Sequence, residues 1–369
     1  MTPQAIYLSA GEPSGDRYAG LLAAAFRTAA PDARLEGMGG PAMRAAGVRI
    51  LEAADELGAL GLAEVAGSAL THLAALRRVR HHLRVRRYDL AVLVDYPGFH
   101  LRVARAAHEA GVPVLYYIPP QLWAWGAWRA ASLRRVVRRL AVVLPFEEAY
   151  FQSRGLDARF VGHPLLDCAL PSRADARARL GIEPDTPALA LLPGSRPAER
   201  RALWPAFRET ARRLGAEHRD LTILLADGPR GERENGADLA LVHGDAGTVV
   251  AAADAALCKS GSTTLEAALA DVPHVVAYRM HALTFAIATR VAQVEHVGLV
   301  NLILGRQVVP ELLQRAACPR ALADAVRPLL DRDGPAARAQ RAAFAEARGR
   351  LGVPAVAPRV AQLGWDLVA

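Results

Sequence analysis

The stretch AIYLSAGEPSGD, residues Ala5–Asp16, joins a short apolar run to a glycine-containing loop, and the helix-like segment RYAGLLAAAFRTAA follows it. A buried strand, a tight loop and a helix are typical of the first βα turn of a nucleotide-binding α/β fold. The loop lacks both the lysine of a phosphate-binding loop and the G-x-G-x-x-G order. It carries two carboxylates instead, Glu12 and Asp16, and Asp16 is predicted to cap the helix that follows.

Apolar runs alternate with helical stretches along the rest of the chain. They are RLEGMGG, DLAVLVDYPG, VPVLYYIPP, LAVVLPF and ARFVGHP in the first half, and ALALLPGS, LTILLADG, LALVHGD, AALCKSGS and HVVAYRM in the second. Such continuous runs predict strands buried on both faces of a parallel sheet. We therefore expect two Rossmann-like, doubly wound α/β domains, residues 1–167 and 185–335, joined through the polar segment Cys168–Pro187. The helices from about residue 336 are expected to pack back onto the N-terminal domain.

The bulk composition favours a cytoplasmic protein. The 369 residues are 52% hydrophobic and contain three scattered cysteines, which excludes a disulfide framework and offers no metal-ligand spacing, so no metal is expected. No apolar stretch is long enough to span a bilayer, and the N-terminus has no basic segment typical of a secretory signal.

The net charge of +8 comes almost entirely from arginine, because Lys259 is the only lysine. Two segments concentrate this charge, RRVRHHLRVRR (Arg77–Arg87) and WRAASLRRVVRRL (Trp128–Leu140). Such patches attract nucleic acid, anionic lipid or phosphate-bearing substrates. The chain has no motif of a nucleic-acid-binding module, so nucleic acid is not expected as a partner.

Two turns in the second half are candidate phosphate sites. In LLPGSRPAER a glycine–serine turn precedes a helix and places Arg196 at its start, and in CKSGSTTLEAAL the residues Ser260–Thr264 open a helix that carries Glu266. Backbone amides at a helix N-terminus bind anions, and Glu266 can accept hydrogen bonds from ribose hydroxyls. Ordinary helix capping by serine and threonine explains either motif equally well when each is taken alone.

In the first half, LAVLVDYPGFH places Asp95 at the carboxyl end of an apolar strand, where ligands bind in open α/β sheets. Asp95 is a candidate general base, and a carboxylate that caps the Pro97 turn is the alternative. Upstream, apolar residues recur with helical spacing ahead of the basic segment; the predicted membrane-facing residues are Leu62, Val65, Leu70, Leu73, Arg77 and Arg78. The alternative is a core-facing helix with solvated arginines. Trp123, Trp125 and Trp128 suit a substrate pocket or a membrane interface.

A series of short motifs runs from about Ile6 to Gln314: SAGEPSGD, GMGGPAM, DYPGF, YIPPQLWAW, LPFE, FVGHPLLD, LLPGSR with Glu199, SGSTTLE and NLILGRQVVPELLQ. In these motifs and their order the chain resembles the lipid-A-disaccharide synthases. Many members have Asn at the position of His100, and some have Asp at the position of Gly98.

This resemblance implies a GT-B glycosyltransferase with its active site in the cleft between two Rossmann-like domains. The family joins UDP-2,3-diacylglucosamine to 2,3-diacylglucosamine 1-phosphate, which gives a β-1,6 disaccharide and UDP, and it needs no cofactor. The implied location is peripheral, on the anionic inner face of the inner membrane, and the implied assembly is a homodimer. A related transferase with another lipid acceptor and a UDP-sugar 2-epimerase of the same architecture are the alternatives.

The resemblance also implies residue roles. Asp95 matches the family's essential aspartate and Glu12 lies on the acceptor side. The expected substrate-binding residues on the donor side are Arg196, Ser260, Gly261, Ser262, Thr263, Glu266, Asn301 and Glu311.

Overall fold

The computed structural model describes residues 4–54, 65–228, 231, 233–234, 236, 239–280 and 295–368, and in residues 65–69 the description covers the backbone alone. Its contacts divide the chain into two compact units. The first contains Met1–Cys168 together with Leu351–Ala369, and the second contains Ala169–Arg350.

The described part of the first unit holds a sheet of seven parallel strands in the order β3-β2-β1-β4-β5-β6-β7. Its elements up to residue 168 are β1 (Ala5–Ala10), α1 (Pro13–Ala29), β2 (Arg34–Gly39), α2 (Pro41–Ala45), β3 (Arg49–Ala53), α3 (Val65–Val85), β4 (Leu90–Val94), α4 (Pro97–Glu109), β5 (Val114–Tyr117), α5 (Ala130–Val136), β6 (Arg139–Val142), α6 (Glu147–Gln152) and β7 (Ala158–Phe160). The central strand β4 is buried along its whole length, as its apolar sequence predicts.

In the second unit the described strands form a parallel sheet of six, ordered β10-β9-β8-β11-β12-β13. Its elements are α7 (Arg173–Leu180), β8 (Ala188–Leu192), α8 (Pro197–Glu217), β9 (Thr222–Ala226), β10 (Val242–Gly244), α9 (Ala246–Ala252), β11 (Ala255–Lys259), α10 (Ser262–Leu269), β12 (His274–Tyr278), α11 (Leu299–Leu304), β13 (Glu311–Leu313), α12 (Pro319–Leu330) and α13 (Pro335–Arg350). Helix α14 (Val356–Trp365) then completes the first unit.

The α/β class and the parallel sheets are confirmed, and two strands are additional to the predicted series. Both β3 and β13 lie at a sheet edge and are only partly buried. A strand paired on one side and partly exposed needs no continuous apolar run, so the pattern that identifies the central strands is absent from these two.

The two C-terminal helices belong to different units, which corrects the expectation that both pack on the N-terminal domain. In α13, the side chain of Gln340 accepts a hydrogen bond from the backbone of His274 at 2.8 Å, and Phe344 stacks on the His274 ring. Only α14 returns to the first unit, where Trp365 packs edge-on against Phe26 of α1 with ring centroids 5.1 Å apart.

Asp16 also differs from its expected role. Its buried carboxylate lies in the first turn of α1 but accepts hydrogen bonds from the amides of Gly40 (2.7 Å), Ala42 (2.8 Å) and Met43 (3.2 Å). It therefore caps the N-terminus of α2 rather than its own helix and ties the first two βα turns together.

Candidate active site

Asp95 follows β4 at the carboxyl edge of the first sheet and is half-buried. Asp95 and Tyr96 both have left-handed backbone conformations, with φ of 54° and 52°. Residues other than glycine seldom adopt this conformation, and two in succession are held only where the surroundings enforce it. Strain of this kind is concentrated at functional sites, which makes Asp95 the leading catalytic candidate in the first unit.

Buried side chains hold the Asp95 backbone. Its carbonyl oxygen accepts hydrogen bonds from His100 Nδ1 at 2.6 Å and from the Tyr116 hydroxyl at 3.0 Å. Because a carbonyl can only accept, His100 must carry its proton on Nδ1. Its Nε2 therefore accepts from the Ser9 hydroxyl, 2.9 Å away. Burial lowers the pKa of His100 to about 4, so the imidazole is neutral at pH 7.

The loop after β1 packs directly on this segment. A Cβ atom at Gly11 would lie 2.1 Å from the Tyr96 ring, so only glycine fits there. A Cβ atom at Gly15 would lie 3.9 Å from the Cβ of Asp95. Glu12, half-buried at the start of α1, is thereby carried on the same edge of the sheet as Asp95.

The buried carboxylate of Glu147, in the LPFE motif, is hydrogen-bonded to the PPQLWAW motif. Trp123 donates its indole N–H to Glu147 at 2.9 Å, and the amides of Val143 and Leu144 donate to the other oxygen of Glu147. Burial raises the pKa of Glu147, and these hydrogen bonds oppose that rise. The first tryptophan of the motif is thus a structural anchor for the loop after β5.

The other two tryptophans face solvent, with Trp125 51% and Trp128 76% exposed. The guanidinium of Arg129 lies 5.0 Å from the Trp125 ring centroid and 4.9 Å from that of Trp128. This exposed cluster of two indoles and a cation follows β5, the neighbour of β4.

Helix α3 is buried in one part and exposed in another. Ala75, Leu76, Val79 and Leu83 are buried in the core, whereas Leu70 and Leu73 are 71% and 43% exposed. Arg77 is exposed, but Arg78 donates to both oxygens of Glu52 at 2.8 Å, so its charge is already paired, unlike that of a free membrane-facing arginine. Leu62 and the side chain of Val65 lie outside the described residues. No helix in the described ranges is both long and apolar enough to cross a bilayer.

In the second unit, Arg196 occupies the N-cap position of α8, and its side chain is 62% exposed. Glu199, one turn into the helix, accepts a hydrogen bond from the Arg196 amide at 3.4 Å. The preceding Gly194 has φ +113°, and a Cβ atom there would lie 2.6 Å from Glu199 Oε2. The glycine therefore allows the loop to close over the carboxylate.

The Ser260–Thr263 turn opens α10 at the carboxyl end of β11. Gly261, Ser262 and Thr263 are half-buried, and the first amides of the helix have no intrahelical acceptor. The Ser260 hydroxyl donates to the Val297 carbonyl at 2.8 Å, and Glu266 is half-buried one turn along the helix. A helix N-terminus with these features can bind a phosphate-bearing ligand, and we name the Ser260–Thr263 turn the phosphate cradle.

Asn301 and Glu311 are engaged with the protein's own backbone. The Asn301 amide donates to the Val309 carbonyl and to Glu311 Oε1, and its oxygen accepts from the Val308 and Val309 amides. Glu311 accepts from the amides of Val297 and Gly298, both at 2.9 Å. Since the Val297 carbonyl accepts from Ser260, the network reaches the phosphate cradle.

Comparison with solved structures identifies the class of fold. The chain superposes over its whole length on the glycotransferase of kitacinnamycin (TM-score 0.64, 17% identity) and on the calicheamicin glycosyltransferase CalG4 (TM-score 0.60, 18% identity), covering 100% of each. It covers 95% of a putative UDP-N-acetylglucosamine 2-epimerase from Listeria monocytogenes (TM-score 0.66, 11% identity). These structural similarities show that the chain has the GT-B fold.

Sequence comparison gives the family. A model of the lipid-A-disaccharide synthetase family matches residues 6–347. The lipid-A-disaccharide synthase of Myxococcus xanthus is 40% identical over 99% of this chain and 98% of its own length, and that of Syntrophus aciditrophicus is 36% identical over 100% and 99%. The chain belongs to the lipid-A-disaccharide synthetase family and is a hexosyltransferase of lipid A biosynthesis.

Several residues of the site carry no signal in the sequence. Tyr116 lies inside an apolar strand, and its contact with the Asp95 carbonyl depends on the pairing of β4 with β5. Ser9 and His100 are 91 positions apart in sequence and meet only in the folded sheet. The only signal of this kind in the sequence is Ser9, a polar residue within an apolar strand.

The neutral state of His100 predicts that the protein loses stability in mild acid. Its pKa is about 4 in the folded protein against the usual 6.5, so below pH 6.5 the unfolded chain binds a proton that the folded chain does not. Burial has the same effect on His163 and His274. Each imidazole lowers the free energy of unfolding by up to about 1.4 kcal/mol per pH unit between pH 6.5 and its folded pKa.

Urea denaturation at pH 7.5, 6 and 5 measures this loss. His100→Asn should reduce the slope of the free energy of unfolding against pH by the equivalent of up to one proton. A wild-type stability that is constant over this range, or an unchanged slope in the variant, contradicts the neutral, buried imidazole.

Proposed function

We propose that the enzyme transfers 2,3-diacylglucosamine from its UDP derivative to the 6-hydroxyl of 2,3-diacylglucosamine 1-phosphate, forming the β-1,6 disaccharide 1-phosphate and UDP. The observation that carries the proposal is Asp95, a carboxylate on strained backbone at the sheet edge in a chain of this family. The relatives' name supports the product, a lipid A disaccharide.

Asp95 acts as the general base in this proposal. The acceptor oxygen attacks the anomeric carbon with inversion, its proton passes to Asp95, and the bond to the β-phosphate oxygen breaks. General-base catalysis contributes about 10²- to 10⁴-fold to such a step. The neutral His100 and the Tyr116 hydroxyl fix the backbone of Asp95 by donating hydrogen bonds to its carbonyl oxygen. Glu12 accepts hydrogen bonds from acceptor hydroxyls.

The second unit holds the donor. Arg196 and the amides of Gly261, Ser262 and Thr263 bind the diphosphate, because a helix N-terminus and a guanidinium both attract phosphate. Glu266 accepts hydrogen bonds from the ribose. Asn301 and Glu311, whose bonds are made to the protein itself, act indirectly by fixing the segment that contacts Ser260.

The first unit docks on the anionic inner face of the inner membrane. Leu70 and Leu73 are exposed on α3, and the exposed Arg77 lies further along the helix. Apolar side chains that enter the interface, with arginines at the headgroups, hold a helix on a bilayer surface. Both substrates carry acyl chains, so an enzyme on the membrane meets them where they reside.

Asp95→Asn tests the assignment of the base. The variant should lose transfer by at least about 100-fold, because the amide cannot accept the proton, while UDP binding measured by calorimetry stays unchanged. Asp89 is the matched control, since it lies at the opposite end of the same strand and accepts hydrogen bonds from the amides of Gln4 and Ala5. Asp89→Asn should retain transfer. An active Asp95→Asn enzyme removes Asp95 from the mechanism.

The membrane surface is tested with vesicles of phosphatidylethanolamine and phosphatidylglycerol. The variant Leu70→Asp/Leu73→Asp should sediment with them at least about tenfold more weakly, because two apolar anchors are replaced by charges that anionic lipid repels. Val85→Asp, a charge at an exposed apolar site at the other end of α3, is the control. Equal binding of the double variant and the wild type would rule out this surface, as would an equal loss in the control.

A further inference from the structure

Lys259 stands out among the basic residues of the chain. Of the 45 lysines and arginines it is the only lysine. It is the last residue of β11, directly before the phosphate cradle, and its side chain is only 19% exposed. Arginine is a planar fork, whereas lysine presents a compact ammonium that can approach a single oxygen. Every other basic residue among the lysines and arginines of the chain is arginine, and this position alone carries the compact cation.

The ammonium lies within the donor site. Its Nζ is 2.8 Å from Glu199 Oε1 and 3.7 Å from the place that a Cβ atom on Gly261 would take. It also lies 5.7 Å from the centroid of the Tyr278 ring. The Nζ atom is therefore held at the turn whose amides are proposed to bind the donor diphosphate.

Glu199 serves two cations at once. The same oxygen that binds Lys259 lies 3.6 Å from Arg196 Nη1, so one carboxylate is shared by two positive groups. The three side chains together carry a net charge of about +1. A diphosphate placed at the cradle meets both cations, and the more sheltered of the two is Lys259, since Arg196 is 62% exposed.

We propose that Lys259 binds the donor diphosphate and stabilises the charge that develops on UDP as it leaves. When the bond from the anomeric carbon breaks, its electron pair goes to the β-phosphate oxygen and UDP gains one negative charge. Lys259 remains protonated and shifts its hydrogen bonding from Glu199 towards that oxygen, the preorganised electrostatic role of a fixed cation. Glu199 is the counter-ion that keeps the ammonium at the turn.

This inference rests on the proposed donor site, and titration with UDP alone tests it without any acceptor. Lys259→Met, which keeps the length of the side chain, should weaken UDP binding about 10- to 100-fold, the range for a hydrogen bond between charged groups. Glu199→Gln should bind UDP as well as the wild type or more tightly, because glutamine preserves the cap of α8 and frees both cations. Arg201→Met removes an exposed cation on the same helix and should change nothing.

The double variant Lys259→Met/Glu199→Gln separates binding from structure. If Lys259 only neutralises Glu199, removing both charges restores UDP affinity to that of Glu199→Gln. If Lys259 binds the diphosphate, the double variant stays about 10- to 100-fold weaker than Glu199→Gln. Thermal unfolding confirms that each variant is folded, and Lys259→Arg, which keeps the charge, should recover part of the affinity.

Kinetics test the leaving-group role. In Lys259→Met the inhibition constant of UDP should rise more than the KM of the UDP-sugar, because free UDP carries the additional charge, and kcat should fall. Unchanged UDP affinity in Lys259→Met, equal weakening by Glu199→Gln, or restoration in the double variant each overturns the inference. A wild-type protein that binds UDP but transfers no sugar contradicts the proposed function alone, and the UDP titrations decide the inference about Lys259 in either case.

Discussion

The carbonyl oxygen of Asp95 accepts two hydrogen bonds from buried donors, and the geometry of the first unit's site depends on that arrangement. His100 and Tyr116 hold two successive residues in a conformation that the chain would otherwise avoid. The Tyr96 ring then covers Gly11, which brings the loop of Glu12 against the same edge. Fixed backbone, rather than a fixed side chain alone, places the carboxylate, and burial keeps the supporting imidazole neutral at pH 7.

The geometry of the second unit's site depends in a similar way on one carboxylate, that of Glu199. Glu199 closes the Gly194 loop, caps α8 and pairs with Lys259 of the neighbouring strand. The network of Asn301 and Glu311 supports the cradle from its other side through Val297. The residues proposed to bind the diphosphate are therefore few, and their positions depend on polar groups whose hydrogen bonds are made within the protein.

The central strands, the carboxyl-end position of Asp95 and both glycine–serine turns before helices were predictable, because long apolar runs and glycine–serine turns are local signals. The edge strands β3 and β13 were not, since partial burial leaves no run to detect. Nor was the role of Asp16, because a carboxylate in one helix cannot reveal that it caps another. The contacts of Ser9, Tyr116 and Lys259 were not predictable either, because they depend on the order of strands in the sheet.

The products of the reaction show whether the enzyme forms the lipid A disaccharide. The purified enzyme is incubated with UDP-2,3-diacylglucosamine and 2,3-diacylglucosamine 1-phosphate, and lipid products and UDP are quantified together by mass spectrometry. The proposed reaction yields one β-1,6-linked disaccharide 1-phosphate for each UDP released. UDP released without disaccharide, or a sugar nucleotide converted to its 2-epimer, would contradict it.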